Sequence, residues 1–159
     1  MIYLIDDNIE FCKNFALSMD KVKIFHQANQ ALVEAVEENP EIIITDINLP
    51  PDLKAIPGYP HGLNGVELAN IFVQMNPKRP VIAISGNSLK ETTDQYGTLN
   101  PGVTYFQKPL SDSFFQYLES LFMLVNIRIL PHEAECLLKI HRDVVTALRV
   151  LIAKASNDI

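Results

Sequence analysis

The sequence predicts a doubly wound α/β domain: one parallel sheet of five strands with helices on both faces, followed by an extra C-terminal helix. Three observations carry this. Short apolar runs rich in β-branched residues alternate five times with amphipathic stretches. The run Ile42–Ile44 has no polar alternation, which suits a strand buried on both faces. Strand and helix follow one another at short spacing, as right-handed crossovers require.

Ile2 to Ile5 is the first strand, ending in Asp6, Asp7 and Asn8. Asn8 is an N-cap for a helix with Ile9, Cys12, Phe15, Ala16 and Met19 on one face. Val22 to Phe25 is the second strand. Ala28 to Glu38 is the second helix, with Ala31, Leu32, Ala35 and Val36 inward, and it stops before Pro40. Ile42 to Thr45 is the third strand, followed by Asp46. Gly65 to Met75 is the third helix. Pro80 to Ile84 is the fourth strand, closed by Ser85 and Gly86, and a polar helix spans Ser88 to Tyr96. Val103 to Phe106 is the fifth strand. Ser111 to Val125 is the fifth helix, rich in Phe114, Phe115, Leu118, Leu121 and Phe122.

The 159 residues suffice for one domain with a sizeable core and one added element. The net charge of -6 and pI near 5.1 argue against direct nucleic-acid binding, which needs a basic face. Cys12 and Cys136 lie far apart and make no metal spacing; each suits a small apolar packing role in a reducing compartment. The longest apolar run, Leu121 to Val125, is too short to cross a bilayer. The chain opens on the strand-like MIYLID rather than a charged-then-apolar leader. A cytoplasmic protein without membrane contact is the expectation.

Two stretches exceed a minimal unit. After Asp46 the segment from Leu49 to Gly65 is a loop holding four of the ten prolines and three of the six glycines. It is roughly ten residues longer than a strand-to-helix connection needs. Residues 50–64 are read either as a functional loop or as an insertion packed on its own prolines. After Asn126, Pro131 suits the first position of a new helix, with Glu133 and Glu135 in its first turn. Leu138, His141, Val145, Leu148, Ile152 and Ala155 then step by threes and fours, a heptad seam flanked by Leu137, Val144 and Leu151. Such a stripe must be covered by its own domain, a twin or a partner. The division expected is a domain over 1–125 and a helical extension over 126–159. His141, on that seam, reads as a core or interface histidine.

Polar groups collect at successive strand ends: Asp6 and Asp7, then Asp46, then Ser85, then Lys108 and Pro109. In open α/β sheets that edge carries the ligand site. Each residue alone has an ordinary explanation, Asp46 as a turn former among them. Together they place three carboxylates where they repel unless a cation sits among them, and Mg²⁺ suits hard oxygen donors with room for water. A hydroxyl and an ammonium alongside suit a phosphoryl group.

With IDDN at Asp6 and Asp7, IIITDINLP at Asp46, IAISGNS at Ser85 and YFQKPL at Lys108, residues 1 to 125 resemble the receiver domain of two-component response regulators, in a chemotaxis-regulator-like form. The resemblance implies a flavodoxin-like fold and a phosphoacceptor role for Asp46, served by a histidine kinase or phosphotransfer protein. It implies Mg²⁺ bound by Asp7, Asp46 and the backbone carbonyl of Asn48, with Asp6 acting through water. Lys108 would pair with phosphoryl oxygens and Ser85 would receive one in the active state. Tyr105 matches the family's switch aromatic, and Pro109 the proline that usually follows a cis peptide bond. Tyr105 is expected to turn inward as Ser85 moves toward a phosphorylated Asp46.

The leading reading is a non-enzymatic signalling protein acting through phosphorylation-dependent contact with a downstream protein, and through a homodimer or partner surface on its last helix. A second reading makes the chain the amino-terminal receiver of a longer signalling enzyme or hybrid kinase, with residues 131–155 as linker helix. A third is a Mg²⁺-dependent hydrolase using Asp46 as a transient nucleophile.

Overall fold

The computed structural model describes residues 1–50, 62–126, 139–140, 142–148, 150–151 and 154. Most of the proline-rich loop, Cys136, the helix start at Pro131 and the seam positions Leu138, His141, Ile152 and Ala155 lie outside them. In chain order the elements are β1 (Ile2–Ile5), α1 (Ile9–Leu17), β2 (Val22–Phe25), α2 (Ala28–Glu38), β3 (Ile42–Asp46), α3 (Gly65–Met75), β4 (Val81–Ser85), α4 (Leu89–Tyr96), β5 (Val103–Gln107) and α5 (Asp112–Asn126). The chain divides into two compact units, Met1–Phe115 and Gln116–Ile159.

The five strands form one parallel sheet in the order β2-β1-β3-β4-β5. The apolar runs account for its layering. Every residue of β1, β3 and β4 is buried, whereas the edge strands β2 and β5 are largely half-buried. On one face Ala28, Ala31 and Ala35 of α2 and Leu68, Ala69, Phe72 and Val73 of α3 join Tyr3, Ile5, Ile43 and Val81 in a single core. Phe114, at the start of α5, meets Phe15 of α1 and Phe106 of β5 edge to face. Local chemistry starts the helices. The Asn8 side chain caps α1, and Asn64 with Glu67 and Ser88 with Glu91 form capping boxes on α3 and α4.

Some periodicity-based expectations are corrected. Ile9 and Val36 are exposed rather than inward. Ile9 opens its helix beside the cap, and the small residues of α2 turn a narrow face centred on Ala31 and Ala35 to the sheet, so Val36 falls outside it. Met19 lies past the end of α1, and β4 takes in Ser85. The loop after β3 is anchored at both sides: Leu49 and Leu63 are buried in the core.

In the second unit Ile140, Val144, Leu148, Val150 and Leu151 are exposed, and Leu118 and Leu121 of α5 are buried. Among the described residues no helix is long and apolar enough to cross a membrane.

Candidate functional site

The chain runs outward from β1 in opposite directions, to β2 on one side and β3 on the other, so a crevice opens at the carboxyl ends of β1 and β3. Register decides what enters it. Ile5 pairs with Thr45, so the next residues, Asp6 and Asp46, stand side by side. Asp46 pairs with Ile84, and Ser85 with Gln107, which puts Ser85 and Lys108 at the same edge. The Lys108 amide donates to the Ser85 carbonyl at 2.6 Å. The Lys108–Pro109 peptide is cis.

One ligand oxygen from each of Asp6, Asp7 and Asp46 lies within 4.8 Å of the others. Asp6 is fully buried, Asp46 is buried and Asp7 is exposed. Asp6 Oδ1 accepts from the Asn8 amide at 2.8 Å, and Oδ2 accepts from Lys108 Nζ at 2.8 Å. Lys108 Nζ also lies 3.6 Å from Asp46 Oδ1, which accepts from the Ile47 amide at 2.9 Å.

The electrostatics follow from that crowding. Burial, then the charge of Asp6, pushes the Asp46 carboxyl up to about 6, against the pull of Lys108 and the Ile47 amide. Burial works against the Lys108 ammonium, but its hydrogen bond to Asp6 and the charge of Asp46 outweigh it, so its pKa is raised. Beneath the site the Asp6 carbonyl accepts from His26 Nδ1 at 2.8 Å and from Cys12 Sγ at 3.5 Å. Burial, then Asp6, pushes the Cys12 thiol up to about 11, so it stays protonated. Among the described residues the salt bridges bring one cationic side chain, Lys108, to these acids, which leaves negative charge in excess. The donor set is oxygen from carboxylates, which fits Mg²⁺.

Ser85 is buried, and its Oγ accepts from the Asn87 amide at 3.1 Å. Tyr105 hydrogen-bonds through its hydroxyl to the Asn87 carbonyl and, at 3.0 Å, to Thr92 Oγ1. Its ring packs on the buried cluster of Ile47, Val66 and Ala83. Tyr105 is half-buried. Asn48 is exposed, and its side chain accepts from the Tyr96 hydroxyl at 3.0 Å.

Three contributors were not singled out from sequence. Phe11 lays its ring centroid 4.7 Å from Lys108 Nζ, a cation–π contact. Thr92 receives Tyr105 and is the buried residue of the polar helix α4. Gly65 is where the long loop returns: a Cβ there would stand 2.1 Å from the Asp46 carbonyl oxygen and 2.3 Å from Ile47 Cα. The only sequence signal for it is a glycine opening a helix straight after the loop.

No protein-family model and no curated protein matches the chain. Solved structures do. The receiver domain of NtrX from Brucella abortus superposes with a TM-score of 0.57 at 20% identity, covering 76% of this chain and 97% of that one. A CheY-like response regulator receiver domain protein from Methanospirillum hungatei JF-1 gives 0.56 at 20% identity, covering 77% and 93%. A response regulator from Burkholderia pseudomallei, solved with a phosphorylated aspartic acid, calcium ion and citrate, gives 0.54 at 21% identity, covering 72% and 63%. The chain has the flavodoxin-like fold of response regulator receiver domains.

Proposed function

We propose that this protein is a response regulator receiver in which Asp46 accepts a phosphoryl group from a histidine kinase or phosphotransfer protein. The observation that carries this is a buried carboxylate at the end of β3, sharing Lys108 with Asp6 and standing within 4.8 Å of two further acids. The Burkholderia relative in fold carries a phosphorylated aspartate and a calcium ion. Asp6, Asp7, Asp46 and the Asn48 backbone carbonyl are assigned to Mg²⁺, Asp6 through water. The ion supplies neutralising charge for the phosphoryl oxygens.

The remaining chemistry belongs to the chain. An Asp46 oxygen attacks phosphorus, the bond to the donor's leaving group breaks, and the leaving group departs with that electron pair. Lys108 turns from Asp46 toward the new phosphoryl oxygens, which carry more charge than the carboxylate did. Ser85, whose Oγ accepts from the Asn87 amide, keeps its hydroxyl proton to donate to one of them. Because the Asn87 carbonyl also accepts from Tyr105, a shift of Ser85 is felt along β5 and α4. Phosphorylation then shifts a population between two arrangements of Ser85 and Tyr105.

We assign residues 1–125 to the receiver and 126–159 to a contact element, serving a second copy or a downstream protein; the exposed Ile140, Val144, Leu148 and Leu151 support this. The chain is read as a phosphoacceptor rather than a turnover enzyme. Incubation with a small phosphodonor and Mg²⁺ tests the central claim. A phosphoryl adduct in the intact mass of the native chain, absent in Asp46→Asn, is expected; an adduct on Asp46→Asn removes Asp46 from the role.

A further inference from the structure

We propose that Tyr96 positions Asn48 for cation binding and ties the acceptor loop directly to α4, by a connection separate from Ser85 and Tyr105. The inference rests on the receiver reading above. It starts from the turn after β3. Ile47 O accepts from both the Leu49 and the Gly65 amides, at 3.1 and 3.0 Å. Asn48 is thus the central residue of a three-residue turn. The Ile47 carbonyl is committed to that turn and to α3, and the receiver reading assigns the next carbonyl, that of Asn48, to the cation.

The Asn48 side chain is exposed, and an exposed loop residue loses freedom when its carbonyl is fixed on an ion. The structure supplies part of that ordering beforehand. Tyr96, in the last turn of α4, donates its hydroxyl to Asn48 Oδ1 at 3.0 Å. Its ring is packed against Ile47, Val66 and Ala83, so the donor itself is stationed. Just beyond, Asn70 of α3 donates to the Thr98 carbonyl at 3.0 Å and accepts from the Asn100 amide at 2.7 Å, which braces the segment following the helix. Thr92 is the buried residue of α4, and two hydroxyl contacts join this helix to its neighbours beside the packing of the Tyr96 ring. One, Thr92 to Tyr105, leads to the strand carrying the switch residue; the other, Tyr96 to Asn48, leads to the acceptor loop. A contact that favours the cation-competent turn must, by linkage, be favoured by the cation in return.

Mg²⁺ titration of the full unphosphorylated chain by calorimetry, with α4 amide shifts followed by NMR, tests this. Tyr96→Phe keeps the packed ring and removes the donor. It is expected to weaken Mg²⁺ binding about two- to tenfold, the scale of one net hydrogen bond, and to shrink the Mg²⁺-induced shifts of Thr93 to Gly97. Asn48→Ala keeps the backbone carbonyl and is expected to weaken Mg²⁺ to the same degree, with no further loss when both changes are combined. A hydroxyl that only stabilises the fold would alter unfolding and leave the Mg²⁺ affinity alone. Unchanged affinity in Tyr96→Phe, or additive losses in the double variant, overturns the inference while native Mg²⁺ binding keeps the receiver reading. No Mg²⁺ binding by the native chain overturns both.

Discussion

Lys108 Nζ stands 2.8 Å from Oδ2 of Asp6, a fully buried carboxylate 102 positions earlier in the chain. The same ammonium lies 3.6 Å from Asp46, so one cation balances two acids at the centre of the sheet edge. Breaking a largely buried pair of this kind leaves the acid uncompensated.

Lys108→Ala should therefore lower stability at neutral pH by about 2–4 kcal/mol. Below the Asp46 value of about 6 that acid is protonated, and the loss should shrink. Urea unfolding at pH 7.5 and pH 5 measures both. An equal loss at the two pH values would show that Lys108 does not balance Asp46.

Asp46→Asn should stabilise the fold. The Asp46 pKa is raised in the folded chain from 3.8 to about 6, so the native state binds more protons between those values. Stability then falls as pH rises through that window and stays lower above it. Asn removes the penalty, worth about 3 kcal/mol well above pH 6. Without added divalent ions, the variant should have the higher Tm at pH 7.5 and no advantage at pH 3.5.

Mg²⁺ should raise the Tm of the native chain, since an ion bound only by the folded state stabilises by mass action, about 2.7 kcal/mol at one hundred times Kd. Asp7 is the exposed member of the cluster. Asp7→Asn should leave metal-free stability within about 0.5 kcal/mol and abolish most of the Mg²⁺ shift. A retained shift would place the ion elsewhere.

Gly65→Ala should cost about 2–3 kcal/mol or more, because backbone atoms of Asp46 and Ile47 rather than flexible side chains occupy the space. Since the displaced atoms belong to the segment proposed to accept the phosphoryl group, the yield of adduct should fall as well. Chemical denaturation and intact mass check the two effects.

Removing residues 126–159 tests the contact element. Light scattering with and without beryllofluoride and Mg²⁺ is expected to show a larger mass for the full chain than for the shortened one, scaled to chain length. Equal oligomeric states would leave the exposed Val144 and Leu148 without a role in self-association.

Much of the fold was legible because its signals are local. The β-branched run Ile42–Ile44 can be little else than a doubly covered strand, and Asn8, Asn64 and Ser88 announce the helices they cap. The acids at the strand ends were legible for the same reason, being adjacent in sequence to the runs that position them. Val36 and Ile9 were misjudged because a period of 3.6 locates a stripe only to within about one residue on either side. How wide the buried stripe is depends on how closely the helix approaches its sheet.

By itself the sequence determined an alternating α/β chain and the residue types at its carboxyl edge. Only the tertiary structure decided that Asp6 is sealed while Asp7 meets solvent, that the Tyr105 hydroxyl bonds to Thr92, and that Tyr96 reaches Asn48. The reason is physical. Propensity and periodicity act over a few residues, whereas these contacts join segments 13 to 102 positions apart. They exist only after strand order and register have brought the elements together.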